Sequence, residues 1–140
     1  MSAKIIDGKK ISEELRQEIA EAVRNRKENE RAPGLAVIIV GNNPASRIYV
    51  NTKKKACEFC GFNSYEYALA EDAEEKELLG LIEKLNSDEN VDGILCQLPL
   101  PSHIDENKVI DAICPEKDVD GFSPVNTGNL LSGKPCFAPC

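Results

Sequence analysis

The sequence predicts an α/β fold of three layers, α/β/α, in which helices cover both faces of a short, mainly parallel sheet. Two features lead to this prediction. Segments with helical and strand-like apolar patterns alternate along the 140 residues. Residues 35–40 are apolar at every position, which is typical of a central strand buried on both faces. Hydrophobic residues at 41% and charged residues at 29% are ordinary values for one globular domain of this length.

The first half of the chain is predicted to form a helix, a strand and a second helix. Apolar residues at every fourth position predict an amphipathic helix over residues 9–29. The central strand follows at 35–40. Asn43 can cap a second helix, which is predicted to run to Cys60 with Gly61 as its C-terminal cap residue. The stripe of the first helix consists of Ile11, Leu15, Ile19 and Val23.

The second half continues the alternation of strands and helices. The third helix is predicted from an inward stripe of leucine and isoleucine residues, and prolines end the strand and the helix that follow it. The remaining residues are rich in glycine, proline and asparagine and are predicted to be mostly loop. The predicted elements are a strand at 62–69, a helix around 78–85, a buried strand at 91–98, a helix at 106–113, a short helix at 124–131 and a final strand at 136–138.

Charge and hydropathy exclude several classes of protein. Asp and Glu number 24 against 17 Lys and Arg, and the resulting net charge of −7 disfavours binding to a phosphate backbone. No apolar run approaches the ~18 residues that a membrane helix requires. The N-terminal residues lack the apolar core of a signal peptide. These observations predict a cytoplasmic protein without a membrane or nucleic-acid partner.

Six cysteines allow two interpretations. Cys57 and Cys60 have the spacing of a metal or redox pair, and zinc could in principle use them together with Cys136 and Cys140. The first pair falls within a predicted helix, however, whereas a thioredoxin-like pair follows a strand and opens a helix. We therefore predict reduced thiols that pack in the protein and no metal site, with zinc or thiol-redox chemistry as the alternative.

Three unusual stretches follow predicted strands or lie close to the same end of the sheet. They are residues 41–53, 97–101 and 115–121. Ligands of an open parallel sheet bind beyond the carboxyl ends of its strands, where these stretches would converge. The sequence therefore predicts the functional site at this edge.

Three of the candidate residues share one face of the second helix. Ser46, Tyr49 and Lys53 are spaced by three and four positions, which brings a hydroxyl, a phenol and an amine together. A lysine amine can donate or accept a proton where burial disfavours its charged form. The alternative is that residues 53–55 form a solvated basic turn and that Tyr49 is a core aromatic.

The other candidates lie in the two later stretches. Gln97 ends an apolar strand, so its amide needs partners. A lysine within reach would supply one, and the alternative is a glutamine that caps the backbone at the strand end. Asp118 and Asp120 flank Val119. They could be turn carboxylates that bind their own backbone, or could accept a pair of N–H groups from a heterocycle.

No glycine-rich phosphate cradle is present in the sequence. The nine glycines contain neither the pattern G-x-G-x-x-G nor a P-loop. The chain therefore has no recognisable pyrophosphate-binding turn of its own.

Three ordered blocks carry a family resemblance. Residues 44–57, 92–101 and 115–122, with shorter matches at 6–9 and 137–140, resemble the bifunctional methylenetetrahydrofolate dehydrogenase/methenyltetrahydrofolate cyclohydrolase family. The resemblance implies that residues 1–140 are the folate-binding catalytic domain, similar to the N-terminal domains of amino-acid dehydrogenases. It also implies a C-terminal dinucleotide-binding domain outside this chain, which would bind most of the NADP, and a homodimer for the full-length protein.

The resemblance implies a reaction and a set of residues. The family oxidises 5,10-methylenetetrahydrofolate to 5,10-methenyltetrahydrofolate with NADP and hydrolyses the product to 10-formyltetrahydrofolate. By position, Lys53, Tyr49 and Gln97 would be catalytic, and this chain alone is expected to be inactive as a dehydrogenase. The alternative is a non-catalytic Rossmann-like module that binds a ligand or a protein. The implied substrate-binding residues are Ser46, Tyr49, Lys53, Gln97, Leu98, Pro99 and Asp120.

Overall fold

Helices and strands alternate as the sequence predicts. The computed structural model describes residues 5–27 and 30–138. Most elements agree with their predicted positions to within a few residues, which confirms the α/β class. The elements are α1 Gly8–Arg24, β1 Gly34–Val40, α2 Pro44–Cys60, β2 Asn63–Leu69, α3 Glu75–Ser87, β3 Gly93–Cys96, α4 Glu106–Ala112 and α5 Pro124–Leu131.

The sheet has three parallel strands in the order β2-β1-β3. β1 is central, pairing Gly34 with Asn63 of β2 and Leu35 with Gly93 of β3. β1 has a neighbouring strand on each side, and all of its residues but Leu35 are buried, which agrees with its continuous apolar sequence.

Helices cover both faces of this sheet. On one face, Ile38 of β1 packs in a cluster with Leu78 of α3 and Val109 of α4. On the other face, Ile39 packs with Val50 of α2. α1 lies against α2 on its outer side. The arrangement confirms the predicted three layers.

The ends of α2 follow from local chemistry. The Asn43 side chain accepts hydrogen bonds from Ala45 N at 2.9 Å and from Ser46 N at 3.3 Å. At the other end Gly61 has a φ of +78°, a left-handed conformation that favours glycine. Both predicted caps are confirmed, and α2 begins shortly after β1 ends.

Two elements are shorter than predicted. α1 ends at Arg24 rather than at residue 29, and residues 28–29 lie outside the described part of the chain. Val23 lies beside Gly61, where α2 ends, so later residues have no further length of α2 to pack against. β3 covers only Gly93–Cys96 of the predicted 91–98, since the chain leaves the ladder at the sheet edge.

The predicted final strand at 136–138 is wrong. These residues have no strand structure, and Phe137 N donates to the Asn126 side-chain oxygen at 3.3 Å. The segment is therefore held by a side chain of α5 and not by the sheet. Pro139 and Cys140 lie outside the described residues. Within the described ranges, no helix has both the length and the apolar character needed to cross a membrane.

Candidate functional site at the carboxyl edge of the sheet

Lys53 of α2 and Gln97, the residue after β3, meet at the carboxyl edge of the sheet. Lys53 Nζ donates to Gln97 Oε1 at 3.1 Å. The amide of Gln97 is oriented by its own Nε2, which donates to the Leu98 carbonyl at 2.8 Å. The Gln97 backbone N–H donates to Ile38 O of β1, also at 2.8 Å. A lysine amine is thus held in place by an amide that is anchored to the central strand.

The face of α2 that carries Lys53 runs from a buried to an exposed environment. Ser46 is buried in the first turn, and Lys53 is half-buried. Tyr49 lies between them, one turn before Lys53, and 62% of its surface is exposed. The alternative that Tyr49 is a core aromatic is therefore wrong, and its ring is free to contact a ligand.

Asp120 reaches the same region from the loop after α4. Ile94 N of β3 donates to Lys117 O at 2.7 Å, and Ile94 forms an isolated parallel bridge with Asp118. The loop therefore follows β3 for a short distance, as a further strand would, and carries Asp120 to the end of that strand. Gly121, with a φ of +69°, then turns the chain away.

Burial and charge make Asp120 unusual. Burial raises the pKa of its carboxyl, and the nearby Asp118 raises it further, whereas the positive charge of Lys53 opposes the shift. In the described part of the chain no group donates a hydrogen bond to this carboxylate. Asp120 and Lys53 are thus close enough to interact electrostatically, and the oxygens of Asp120 are available to a ligand.

Asp118 has the opposite environment. It is 4% exposed and accepts hydrogen bonds from Gly121 N, Ser123 N and Asn126 Nδ2. Burial alone would raise the pKa of this carboxyl, but the bonds from Ser123, Asn126 and Gly121 lower it overall. Of the two interpretations of these aspartates, Asp118 therefore fits the turn carboxylate that binds its own backbone. Ser123 could have been found as the cap before Pro124, whereas the sequence contains no local signal for Asn126.

Leu98 and Pro99 extend the edge beyond Gln97. Leu98 is half-buried and Pro99 is exposed, and the peptide bond between them is cis. Leu98 and Asp120 border a small cavity of about 20 Å³, which Phe122 also lines. Phe122, which is 46% exposed, was not among the predicted site residues. It adds an aromatic surface beside the Asp120 carboxylate.

The zinc set suggested by the sequence includes Cys140, which lies outside the described ranges. In those ranges no group of three or more His, Cys, Asp or Glu side chains could hold a metal ion. Cys57 and Cys60 are free, buried thiols in the last turn of α2. Burial is the main cause that raises the pKa of Cys57, and the nearby Cys60 adds to the shift. Burial next to Asp120 raises the pKa of Cys96 to about 12, so this thiol stays protonated.

The turn after β1 does not fit a dinucleotide. In a Rossmann fold this turn carries closely spaced glycines, and the pyrophosphate approaches the following helix. Here Gly41 is followed by Asn42 and Asn43. Glu71 approaches to 3.4 Å of where a Cβ on Gly41 would lie. The turn thus has a single glycine, and the Cβ and Cγ of Glu71 pack beside it.

Comparison with known proteins identifies relatives over the whole chain. The bifunctional protein FolD of Acetivibrio thermocellus is 58% identical over 140 residues, covering 100% of this chain and 49% of that protein. The crystal structure of the FolD dehydrogenase/cyclohydrolase from Campylobacter jejuni has a TM-score of 0.93 at 47% identity, with 96% of this chain and 48% of that one covered. The chain spans about half the length of the curated relatives it matches.

A more distant relative preserves the same fold. The Trypanosoma brucei methylenetetrahydrofolate dehydrogenase-cyclohydrolase, solved with NADP cofactor and an inhibitor, has a TM-score of 0.89 at 36% identity. The superposition covers 97% of this chain and 47% of the T. brucei chain. The family model for the catalytic domain of tetrahydrofolate dehydrogenase/cyclohydrolase matches residues 6–120, which include β1, α2, β3 and the loop that carries Asp120. This chain therefore belongs to the tetrahydrofolate dehydrogenase/cyclohydrolase family.

Proposed function

We propose that residues 1–140 are the substrate-binding and catalytic half of an enzyme that interconverts one-carbon derivatives of tetrahydrofolate. The enzyme oxidises 5,10-methylenetetrahydrofolate to 5,10-methenyltetrahydrofolate and hydrolyses this product to 10-formyltetrahydrofolate. The observation that carries the proposal is the 3.1 Å contact between Lys53 Nζ and Gln97 Oε1 at the carboxyl edge of the sheet. Family membership supplies the reaction, and the contact supplies a group able to move a proton.

Lys53 is the proposed proton acceptor of the hydrolysis. The methenyl carbon is electron-poor because its positive charge is shared with two nitrogens, so water adds to it. One proton of that water passes to Lys53 Nζ, which must react as the neutral amine. The adduct then breaks its bond to the ring nitrogen, its hydroxyl proton moves to that nitrogen, and the formyl group stays on the other nitrogen. The lysine ends the cycle with one additional proton, which solvent removes.

Gln97 and Tyr49 orient the reacting groups in this proposal. Gln97 holds the Lys53 amine through its anchored amide. The exposed ring of Tyr49 stacks on the folate close to the one-carbon bridge, one helical turn from Lys53. Ser46, Leu98 and Pro99 border the same region as further substrate contacts.

Asp120 is the proposed ligand of the pterin ring. The ring presents an amino group and a neighbouring N–H in one plane, and a carboxylate can accept from both. The support for this role is the position of Asp120 beside Lys53 and the lack of a donor to its carboxylate among the described residues. A ligand that donates two hydrogen bonds would satisfy both oxygens.

We propose NADP as the oxidant of the first reaction, bound mainly outside the residues described here. The T. brucei relative was solved with NADP, and the turn after β1 does not fit a dinucleotide. The contribution of this chain to the oxidation is to hold the folate in a fixed orientation. The chain by itself is expected to be inactive as a dehydrogenase.

We further propose that the full-length protein is a cytoplasmic homodimer without nucleic-acid partners. The net charge of −7 supports the absence of a nucleic-acid partner. The free cysteines of the described residues support a location in a reducing compartment. Light scattering of the full-length protein would measure the oligomeric state, and a monomer at micromolar concentration would refute the dimer.

The test of this function compares two adjacent lysines in the full-length protein. Lys53→Ala should lower the rate of methenyltetrahydrofolate hydrolysis by about 100-fold or more, since general-base catalysis contributes that much. Oxidation should fall less, because it requires alignment rather than this proton transfer. The matched control is Lys54→Ala, at an exposed position of the same helix, and it should keep both activities.

Two results would contradict the proposal. Unchanged hydrolysis in Lys53→Ala would show that Lys53 is not the proton acceptor. A wild-type protein that binds folates without converting them would favour the non-catalytic module instead. The two readouts are the disappearance of methenyl absorbance and the reduction of NADP.

A further inference from the structure

We propose that Asp118 is a positioning residue that sets the folate affinity of the site by holding Asp120 at the end of β3. The inference rests on the proposed function, in which Asp120 binds the pterin. It concerns a residue that is 4% exposed and whose carboxylate already accepts three hydrogen bonds within the protein.

The hydrogen bonds of Asp118 all go to residues that follow it in the chain. Its Oδ1 accepts from Gly121 N at 3.0 Å, and its Oδ2 accepts from Ser123 N at 2.8 Å and from Asn126 Nδ2 at 3.1 Å. The bond to Gly121 N closes a turn in which Asp120 is the third of four residues. Gly121 N also donates to the Asp118 backbone carbonyl at 3.2 Å, so the carboxylate reinforces this turn and ties it to Ser123 and Asn126 on the C-terminal side of Asp120.

The N-terminal side of the loop is held separately. Lys117 O accepts from Ile94 N at 2.7 Å, and Lys117 Nζ donates to the carbonyls of Leu85 and Asp88 at the end of α3. A Cβ on Gly93 would lie 2.5 Å from Val119 Cγ1, so the glycine permits the loop to approach β3 closely. Residues 117–119 are therefore anchored to the sheet, and the direction of Asp120 depends on how the chain continues.

Asp120 has no anchor of its own. No described group donates to its carboxylate, in contrast to the three donors of Asp118. The negative charge of Asp118 also acts on Asp120, since it helps to raise the pKa of that carboxyl. Asp118 thus influences both the position and the protonation of the proposed pterin ligand, through the turn and through its charge.

The experiment is a double-mutant cycle in the full-length enzyme. Asp118→Asn keeps the size of the side chain but turns an amino group toward N–H donors, which disrupts the turn. We expect KM for methylenetetrahydrofolate to rise about tenfold or more with little change in kcat, as for loss of a charged hydrogen bond that binds substrate. In the Asp120→Asn background, the same substitution should raise KM by less than about twofold, because the group it positions is gone.

A second readout and a control separate positioning from general destabilisation. Asp118→Asn should shift the acidic limb of the pH profile of kcat/KM to lower pH, because the charge that helps to raise the pKa of Asp120 is removed. The control Asp7→Asn removes the same charge at the cap of α1, outside the loop that carries Asp120, and should change neither KM nor the profile. If Asp118→Asn does not fold, Asn126→Ala removes only one of the three donors and should raise KM in the same direction.

The outcomes distinguish this inference from the proposed function. Equal rises of KM in the wild-type and Asp120→Asn backgrounds would overturn the positioning role while leaving the enzyme active. An unchanged KM in both Asp118→Asn and Asn126→Ala would overturn it as well. If the wild-type enzyme has no folate activity, the proposed function fails first and the inference fails with it.

Discussion

The two edges of the sheet use the same types of side chain in opposite ways. At the amino edge, Asp92 accepts from both guanidinium nitrogens of Arg31, at 2.6 and 2.8 Å, and from Gly34 N at 2.8 Å. At the carboxyl edge, Lys53 has an amide as its partner, and Asp120 has no donor among the described residues. At the amino edge the Asp92 carboxylate finds its donors within the protein, whereas at the carboxyl edge the Asp120 oxygens are available to a ligand.

The pKa directions of the two aspartates express this difference. The hydrogen bond from Arg31 lowers the pKa of Asp92, with a further contribution from Gly34 N, whereas burial raises the pKa of Asp120. The folded protein therefore stabilises the Asp92 charge and destabilises the Asp120 charge. Satisfied polar groups contribute to stability, and the unsatisfied ones lie at the edge proposed to bind the folate.

The largest expected effect comes from a glycine at the amino edge. In Gly34→Ala, the added Cβ would overlap the carbonyl oxygen of Asn90, which belongs to the backbone and cannot move freely. We expect a loss of about 3 kcal/mol of unfolding free energy, measured by urea denaturation. The control Gly80→Ala, with nothing within 4 Å of its Cβ in α3, should instead gain about 0.5–1 kcal/mol. Equal stability of the two variants would contradict the tight amino edge.

Gln97→Leu tests the carboxyl edge. The substitution removes the acceptor of Lys53 but keeps the volume, so hydrolysis should fall about ten- to a hundredfold, with little loss of stability. Steady-state rates of the full-length enzyme would measure this effect. Gln17→Leu, at an exposed position of α1, is the matched control and should retain the wild-type rate. Full activity of Gln97→Leu would mean that the amide has no part in orienting the lysine.

Asp92→Ala should affect stability and leave the site unchanged. We expect a loss of about 1 kcal/mol, mainly because Gly34 N loses its acceptor, since the exposed pair with Arg31 contributes little. The deficit should be present at neutral pH and shrink below about pH 4, because the lowered pKa gives a contribution that is lost on acidification. Denaturation at several pH values would check this, with Asp111→Ala as an exposed control. A deficit independent of pH would refute the role of the charge.

The smallest effect is expected at Asp120, and its sign is reversed. Asp120→Asn removes a charge that the fold disfavours, so stability at neutral pH should rise by about 1 kcal/mol or less, while folate binding weakens. The pKa of Asp120 is raised in the folded protein, so its charge lowers stability only as the pH rises through that pKa. The stability gained by Asp120→Asn should therefore vanish below about pH 4. Thermal denaturation across this range is the measurement. A loss of stability at neutral pH would mean that the Asp120 charge stabilises the folded protein, as the Asp92 charge does.

Several features of the site follow from sequence patterns alone. Lys53 and Gln97 are separated by 44 positions, yet both follow strands of a parallel sheet, whose carboxyl ends share one edge. Their convergence could thus be predicted without coordinates. The caps of α2 at Asn43 and Gly61 could be predicted because capping depends on residues close in sequence.

Other features depend on contacts that apolar periodicity and capping patterns do not reveal. Nothing local distinguishes Asp118 from Asp120, which lie two positions apart in one loop. The donors of Asp118 are Gly121, Ser123 and Asn126, and their arrangement exists only once α5 has packed against the loop. The apolar pattern at 136–138 predicted a strand incorrectly, because the segment is bound by a side chain of α5.

The amino-acid sequence by itself determined the α/β class, the order of the elements and the edge at which the candidate residues lie, because apolar periodicity and caps are local properties of the chain. Tertiary structure decided which polar groups are satisfied and which are left open. Hydrogen bonding and burial are properties of distances between segments, so two aspartates of the same loop acquired opposite roles only when the chain folded.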